Sequence, residues 1–188
     1  MGRLVGSERG SGRRGRAVAM ARQAGFTLVE LMITVAVLAI ILAIAAPNFT
    51  GLLNGNRLTA QANQIIADLQ RARSEALRRN GSVTVCRSIN GTTCAGAAGP
   101  WEQWLVVDAG GAVIQHQQAD APVQVTASIH SAVFRGDGMA RTAAGVPLDA
   151  TFTACLPTDR PEENQRVVSI AMGGRTAVQA VNAAGACP

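Results

Sequence analysis

Residues 25–46, GFTLVELMITVAVLAIILAIAA, decide how this chain is built: an unbroken apolar run opens at a Gly-Phe junction and carries a single charge, Glu30. From Phe26 to Ala46 the run holds 21 residues. As a helix rising about 1.5 Å per residue it reaches about 31 Å, the thickness of the hydrocarbon core of a bilayer. A simple anchor has no use for an acid at that depth, because a carboxylate there costs roughly 2.5–3.5 kcal/mol on insertion scales. Glu30 therefore implies a function and a cationic partner. A cleavable secretory signal competes for the same residues, since Ala43-Ile44-Ala45 fits the A-x-A rule. Its apolar region, however, is usually about 7–15 residues long, and it leaves Glu30 unexplained. Arg13-Arg14 has only a superficial likeness to a twin-arginine signal.

Charge must be apportioned before it is interpreted. The chain has 17 basic residues, all arginine, and a formal net charge of +5, which taken whole suggests a nucleic-acid partner. Six of those arginines and Glu8 precede Phe26, whereas 11 arginines balance 11 acids from Phe26 onward. The basic excess thus belongs to the segment ahead of the span. Residues 1–19, rich in Gly, Ser and Arg, are expected to be disordered. Positive charge just before an apolar span holds that end in the cytoplasm and sends the rest outward.

Past the span the periodicity changes while the helix is expected to continue. Pro47 can kink it, and Asn54-Gly55-Asn56 is a local weak point at which bending or melting is cheap. Between Arg57 and Arg79, Leu58, Ala62, Ile65, Ile66, Leu69, Ala72, Ala76 and Leu77 recur on one face of a 3.6-residue helix. Gln61, Gln64, Asp68, Gln70, Arg71, Arg78 and Arg79 are expected on the opposite, solvated face. Asn80-Gly81 supplies a stop, with Arg78 and Arg79 at the negative end of the dipole.

The remainder reads as strands: Ser82–Cys86, Trp104–Val107, Ala112–Ile114, Val123–Ala127, Ala132–Arg135, Thr151–Leu156, Arg166–Met172 and Thr176–Val181. Asp108-Ala109-Gly110-Gly111 joins two of them as a hairpin-like turn. A helix followed only by strands predicts an α+β domain, with the amphipathic helical segment covering one face of an antiparallel sheet. The expected organisation is a leader over 1–25, a transmembrane helix over 26–46, an amphipathic continuation over 47–80 and a β-rich domain over 81–188.

The opening residues, Gly25 then Phe26-Thr27-Leu28-Val29-Glu30 and some twenty apolar positions, resemble the amino-terminal signature of type IV pilins and type II secretion pseudopilins. That resemblance implies that a prepilin peptidase cuts after Gly25 and methylates the new N-terminal Phe26. Methylation leaves the amine basic, so the α-amino group of Phe26 on a neighbouring subunit is the cation that pairs with Glu30. It also makes Met20 an alternative start, giving the short leader Met-Ala-Arg-Gln-Ala-Gly. Farther along, Cys86, Cys94, Trp101–Val107, Phe134–Gly138, Val167–Ile170 and Gly174-Arg175 resemble the minor-pilin branch called FimT/GspH. The implied protein is a structural, non-enzymatic subunit at or near the tip of a type IV pilus or a type II secretion pseudopilus. Its partners would be the peptidase, other major and minor pilins or pseudopilins, and the inner membrane, crossed once with the β-rich domain in the periplasm.

An oxidising periplasm makes four cysteines in an exported domain disulfide candidates. Of the three connectivities, Cys86–Cys94 with Cys155–Cys187 is favoured: the first closes a short loop and the second ties down the C-terminus. A zinc or redox site lacks a C-x-x-C pair and nearby histidines, so no metal and no cofactor is expected. His116 and His130 are the only histidines; Ser128 and Ser131 flank the latter, but neighbours along a strand point to opposite faces, and no catalytic group is predicted. Asp159, Glu162 and Glu163 read as an acidic surface loop. The alternative function is DNA binding. Some FimT-like pilins use a Gly-Arg-x-Arg motif, of which Gly174-Arg175-Thr176-Ala177 keeps the first arginine alone. Arg135, Arg141, Arg160 and Arg166 would have to join Arg175 in a patch for phosphate contacts.

Overall fold

The computed structural model describes residues 25–188 apart from Met172, with backbone alone at residues 45–48. The expected leader, including the alternative start at Met20 and Arg13-Arg14, lies outside the described residues except for Gly25. The chain divides into two compact units, one ending at Ile41 and the other running from Leu42 to Pro188.

One helix, α1 (Leu28–Arg79), runs without interruption through Pro47 and through Asn54-Gly55-Asn56. Thr27 begins it: its Oγ1 accepts the Glu30 amide at 3.2 Å and its carbonyl accepts the Leu31 amide, so one orphan donor of the first turn is satisfied. Asn80 ends it in the left-handed region (φ 47°), with the Asn80 amide donating to Leu77 O and the Gly81 amide to Ala76 O. These are the two bonds of a Schellman stop.

The expected weak point stays helical because a loop is fastened to it. Asn54 Nδ2 donates to Arg160 O at 2.9 Å, and Arg160 and Pro161 lie against the helix beside Gly51 and Gly55.

Ala62, Ile65, Leu69, Ala72 and Ala76 form the buried stripe of α1, and Ile66 packs beside it. Each fully buried Leu or Ile contributes about 1.5–3 kcal/mol by leaving water. Three positions depart from the helical wheel. Leu77, expected on the apolar face, is 49% exposed. Gln61 and Asp68, expected in solvent, are buried because each is a hydrogen-bond acceptor for groups the β domain brings to the helix: Gln61 Oε1 takes the Asp120 amide and Asp68 takes the Trp104 indole.

Among the described residues, nine strands form two antiparallel sheets rather than one. β1 (Val83–Ser88), β2 (Gln103–Asp108), β3 (Val113–Gln118), β5 (Ser131–Phe134) and β6 (Ala140–Arg141) lie in the order β3-β2-β1-β5-β6. β4 (Gln124–Ala127), β7 (Ala150–Cys155), β8 (Gln165–Ile170) and β9 (Thr176–Val181) lie in the order β4-β7-β8-β9. β2 and β3 join through the expected turn, where Asp108 Oδ1 accepts the Gly110 and Ala112 amides and Gly111 takes φ 82°.

β3 extends to Gln118, past the apolar residues that announced it, and the two-residue β6 was not foreseen. The main core cluster joins the helix stripe to both sheets, with Val85, Trp104 and Val106 from the first and Val125, Phe152, Val168 and Ile170 from the second. Trp101 pins the sheets together: its amide donates to Val125 O, its indole to Ile129 O, and its ring meets Phe152 edge-on at 5.0 Å.

Candidate functional site

The amino-terminal segment carries the first candidate site. Gly25 and Phe26 precede α1, and Phe26 is 81% exposed. Every described side chain from Gly25 to Ile44 is exposed, although the segment is the apolar window long enough to cross a membrane. Exposing this much apolar surface to water is unfavourable, so the segment needs lipid or other protein around it. Within it, Glu30 stands at the third helical position, where a carboxylate also favours the positive helix end. Among the described residues its carboxylate makes no ion pair. Phe26 just ahead of the helix, an acid one helical turn inside it and apolar side chains all around lie together in this segment.

In the β domain the cysteines pair as Cys86–Cys94 and Cys155–Cys187, with Cα–Cα distances of 5.5 and 5.7 Å and no free thiol. The second bridge returns the last residues to the end of β7, and at the start of β8 Asn164 Nδ2 and Gln165 Nε2 both donate to Ala186 O. Gly185 permits that return, because at φ 77° a Cβ would sit 2.7 Å from Asp159 Oδ1.

Of the arginines proposed for phosphate contact, Arg135 and Arg141 meet at Gly145 and both act on Asp137, while Arg166 and Arg175 lie toward opposite ends of β8. Arg166 spends its guanidinium on Glu163 O and Gln165 O at one end of β8, and Arg175 lies beyond the other end, in the β8–β9 turn. Arg141 is committed to Asp137 Oδ2 at 3.4 Å and Gly145 O at 3.3 Å, with its Nε buried and unpaired. The Asp137 carboxyl is held below its usual range, first by the Met139 amide and then by Arg141. Arg135 is exposed near Gly145, and Arg160 is in the loop fastened to Asn54. Arg73, which sequence reasoning did not single out, sits between two turns: Cβ atoms built on Gly138 and Gly174 would lie 3.4 Å from its Nε and 3.2 Å from its Nη1. Glycines in both facing turns were the available signal.

Neither histidine is engaged with a serine among the described residues. His116 Nε2 contacts Gln103 Oε1 at 3.0 Å, and Ser128 Oγ accepts the Thr151 amide. No cluster of metal-ligating side chains occurs among the described residues. The buried polar centre is instead Asp68. Its Oδ2 accepts Trp104 Nε1 at 2.8 Å, and its Oδ1 accepts Gln115 Nε2 and Gln64 Nε2 at 2.9 and 3.1 Å. Burial pushes its carboxyl above the ordinary range, against the opposing pull of the Trp104 and Gln64 hydrogen bonds and the Arg71 charge.

Comparison with known proteins adds two matches along the chain. Residues 61–174 match the family described as Type II transport protein GspH, and residues 20–46 match the prokaryotic N-terminal methylation motif. No curated protein sequence matches. Among solved structures, the type IV minor pilin FimU of Pseudomonas aeruginosa is similar in two crystal forms. One has 22% identity over 66% of this chain and 89% of that one with a TM-score of 0.50; the other has 21% identity over 65% and 92% with a TM-score of 0.49. The minor pseudopilin EpsH of the type 2 secretion system of Vibrio cholerae has 11% identity over 66% of this chain and 97% of its own, with a TM-score of 0.47. The first of these supports a shared fold, a long helix with antiparallel sheets.

Proposed function

We propose, from the premise that this chain belongs to the GspH family of type II transport proteins and bears an N-terminal methylation motif, that it is a minor subunit at or near the tip of a type IV pilus or secretion pseudopilus. The precursor enters the inner membrane with its N-terminus in the cytoplasm and its β domain in the periplasm. Prepilin peptidase removes the segment ending at Gly25 and methylates Phe26. The subunit then passes from lipid into a filament of pilin-type helices, and it performs no chemistry of its own.

The observation that carries this proposal is Glu30, a lone carboxylate with no ion pair among the described residues, on an otherwise apolar, exposed helical segment. In lipid that charge is a penalty of roughly 2.5–3.5 kcal/mol. Beside the methylated amine of a neighbour's Phe26 it becomes an ion pair in a low-dielectric setting, where charge pairing is strongest. The surrounding Leu, Ile, Val and Ala side chains exchange lipid for protein contacts at no hydrophobic gain, so packing and this one polar contact decide the register.

Replacing Glu30 with Ala tests the proposal. Insertion and cleavage are expected to proceed, while recovery of the chain in sheared filaments or cross-linked pseudopili falls by about tenfold or more, the equivalent of about 1.4 kcal/mol or more of docking energy. Undiminished incorporation of the variant would remove the docking role.

A further inference from the structure

A sheet that ends in open strands must either blunt its edges or use them. The four edges of this domain are treated differently. β3 carries a bulge opposite Val106/Val107, and its Gln115 is drawn onto the helix by Asp68. β6 is two residues long and contains Arg141. β4 is four residues long and starts two residues after Pro122. β9 has none of these protections: Thr176-Ala177-Val178-Gln179-Ala180-Val181 is six residues long, free of charge and proline, and in unbroken register with β8. Ala177, Val178, Gln179 and Ala180 are all exposed, so neither face of the strand is covered in the middle. The C-terminal residues do not cover it either, because the Cys155–Cys187 bridge carries them toward β7.

The hairpin fixes which backbone groups face outward. The Ala171 amide donates to Arg175 O, and hydrogen-bonded and non-hydrogen-bonded pairs alternate from there. With Ser169↔Ala177 and Val167↔Gln179 as bonded pairs, Thr176, Val178 and Ala180 direct their N–H and C=O groups away from β8. They form a ladder half with no partner among the described residues.

We propose that the outer edge of β9 is a strand-pairing site for an extended, uncharged segment of a neighbouring subunit in the same filament. The inference rests on the filament role proposed above. An uncharged partner fits because a charged strand would meet no counter-charge from Thr176 to Val181. A filament neighbour fits because a six-residue pairing is a ribbon only about 20 Å long. That is too small to supply by itself the ~1,200 Å² of a stable free-standing interface. Helices already packed in one filament hold such a strand at an effective concentration of about millimolar, at which a weak edge is occupied.

The full-length chain is tested in cells that assemble the filament, with a photo-cross-linking residue at Ala180. The expected product is an adduct with another pilin-type subunit. Val178→Pro is the decisive variant: its lost N–H points away from β8, so the internal ladder survives while the outer one is broken. Adduct yield should fall about tenfold, with cleavage after Gly25 unchanged and both disulfides formed. Ala177→Lys, which leaves the backbone intact and adds an edge charge, should lower the yield in the same direction. Adducts unaffected by both variants, adducts only with lipid or a second copy of this chain, or no adduct from a chain recovered in filaments would overturn strand pairing. Absence of the wild-type chain from filaments, with no difference between it and the Glu30→Ala variant, would instead show that the filament role itself is wrong, and the inference would fall with it.

Discussion

Asp68 is 1% exposed, and three side chains donate to it. Removing it strands the Trp104 indole in the core, so Asp68→Ala is expected to cost about 1–3 kcal/mol, measured by denaturant unfolding of the β domain. Its titration has a definite sign. Because burial raises the folded-state value, the folded chain holds this proton more tightly than the unfolded chain does. The stability this group contributes is present below the unfolded value of about 3.9 and is lost as pH rises through the folded value. Subtracting the profile of Asp68→Asn from that of the wild type should therefore leave a difference that falls with rising pH across that window; a flat or rising difference would contradict the assignment. The burial of Asp68 was only half legible. Its place on the helical wheel borders the stripe of Ile65 and Leu69, and the missing clue was that a buried tryptophan N–H must find an acceptor.

α1 was legible over its length because two signals of different period agree: a continuous apolar run, then apolar residues three and four apart. Its stop at Asn80-Gly81 was legible too, through residues that tolerate the left-handed region. The division of the strands between two sheets was not, since register and sheet partners depend on long-range contacts that alternation does not encode. β3 was cut short because Gln115 to Gln118 offer no apolar alternation at an open edge.

Two predictions belong to these elements. Gly136 lies against the helix stop, where a Cβ would be 2.7 Å from Asn80 Oδ1 and 3.0 Å from Asn80 C. Gly136→Val should therefore destabilise the domain by about 1–3 kcal/mol, seen as a lowered denaturation midpoint. Replacing Cys155 and Cys187 together by Ser opens a bridge spanning 32 residues. In the chain-entropy account this costs about 3–4 kcal/mol, and fraying should be confined to the residues after Val181 in hydrogen exchange.

At the scale of the whole molecule, charge and hydropathy divide the labour. The arginine excess lies ahead of Phe26, the apolar surface lies between Phe26 and Ile44, and the remainder is a disulfide-bridged domain with both sheets on one core. The periodicity and charge of the first fifty residues carry the proposed filament role, whereas the β9 edge required the strand order. The proposed docking of Glu30 on the next subunit requires a basic amine at Phe26, which would exist only after cleavage at Gly25. Mass spectrometry of the chain purified from assembled filaments tests this most directly. The expected N-terminal peptide begins at Phe26 and carries one methyl group on its amine; a chain that begins after Ala45, or that retains residues before Phe26, would contradict it.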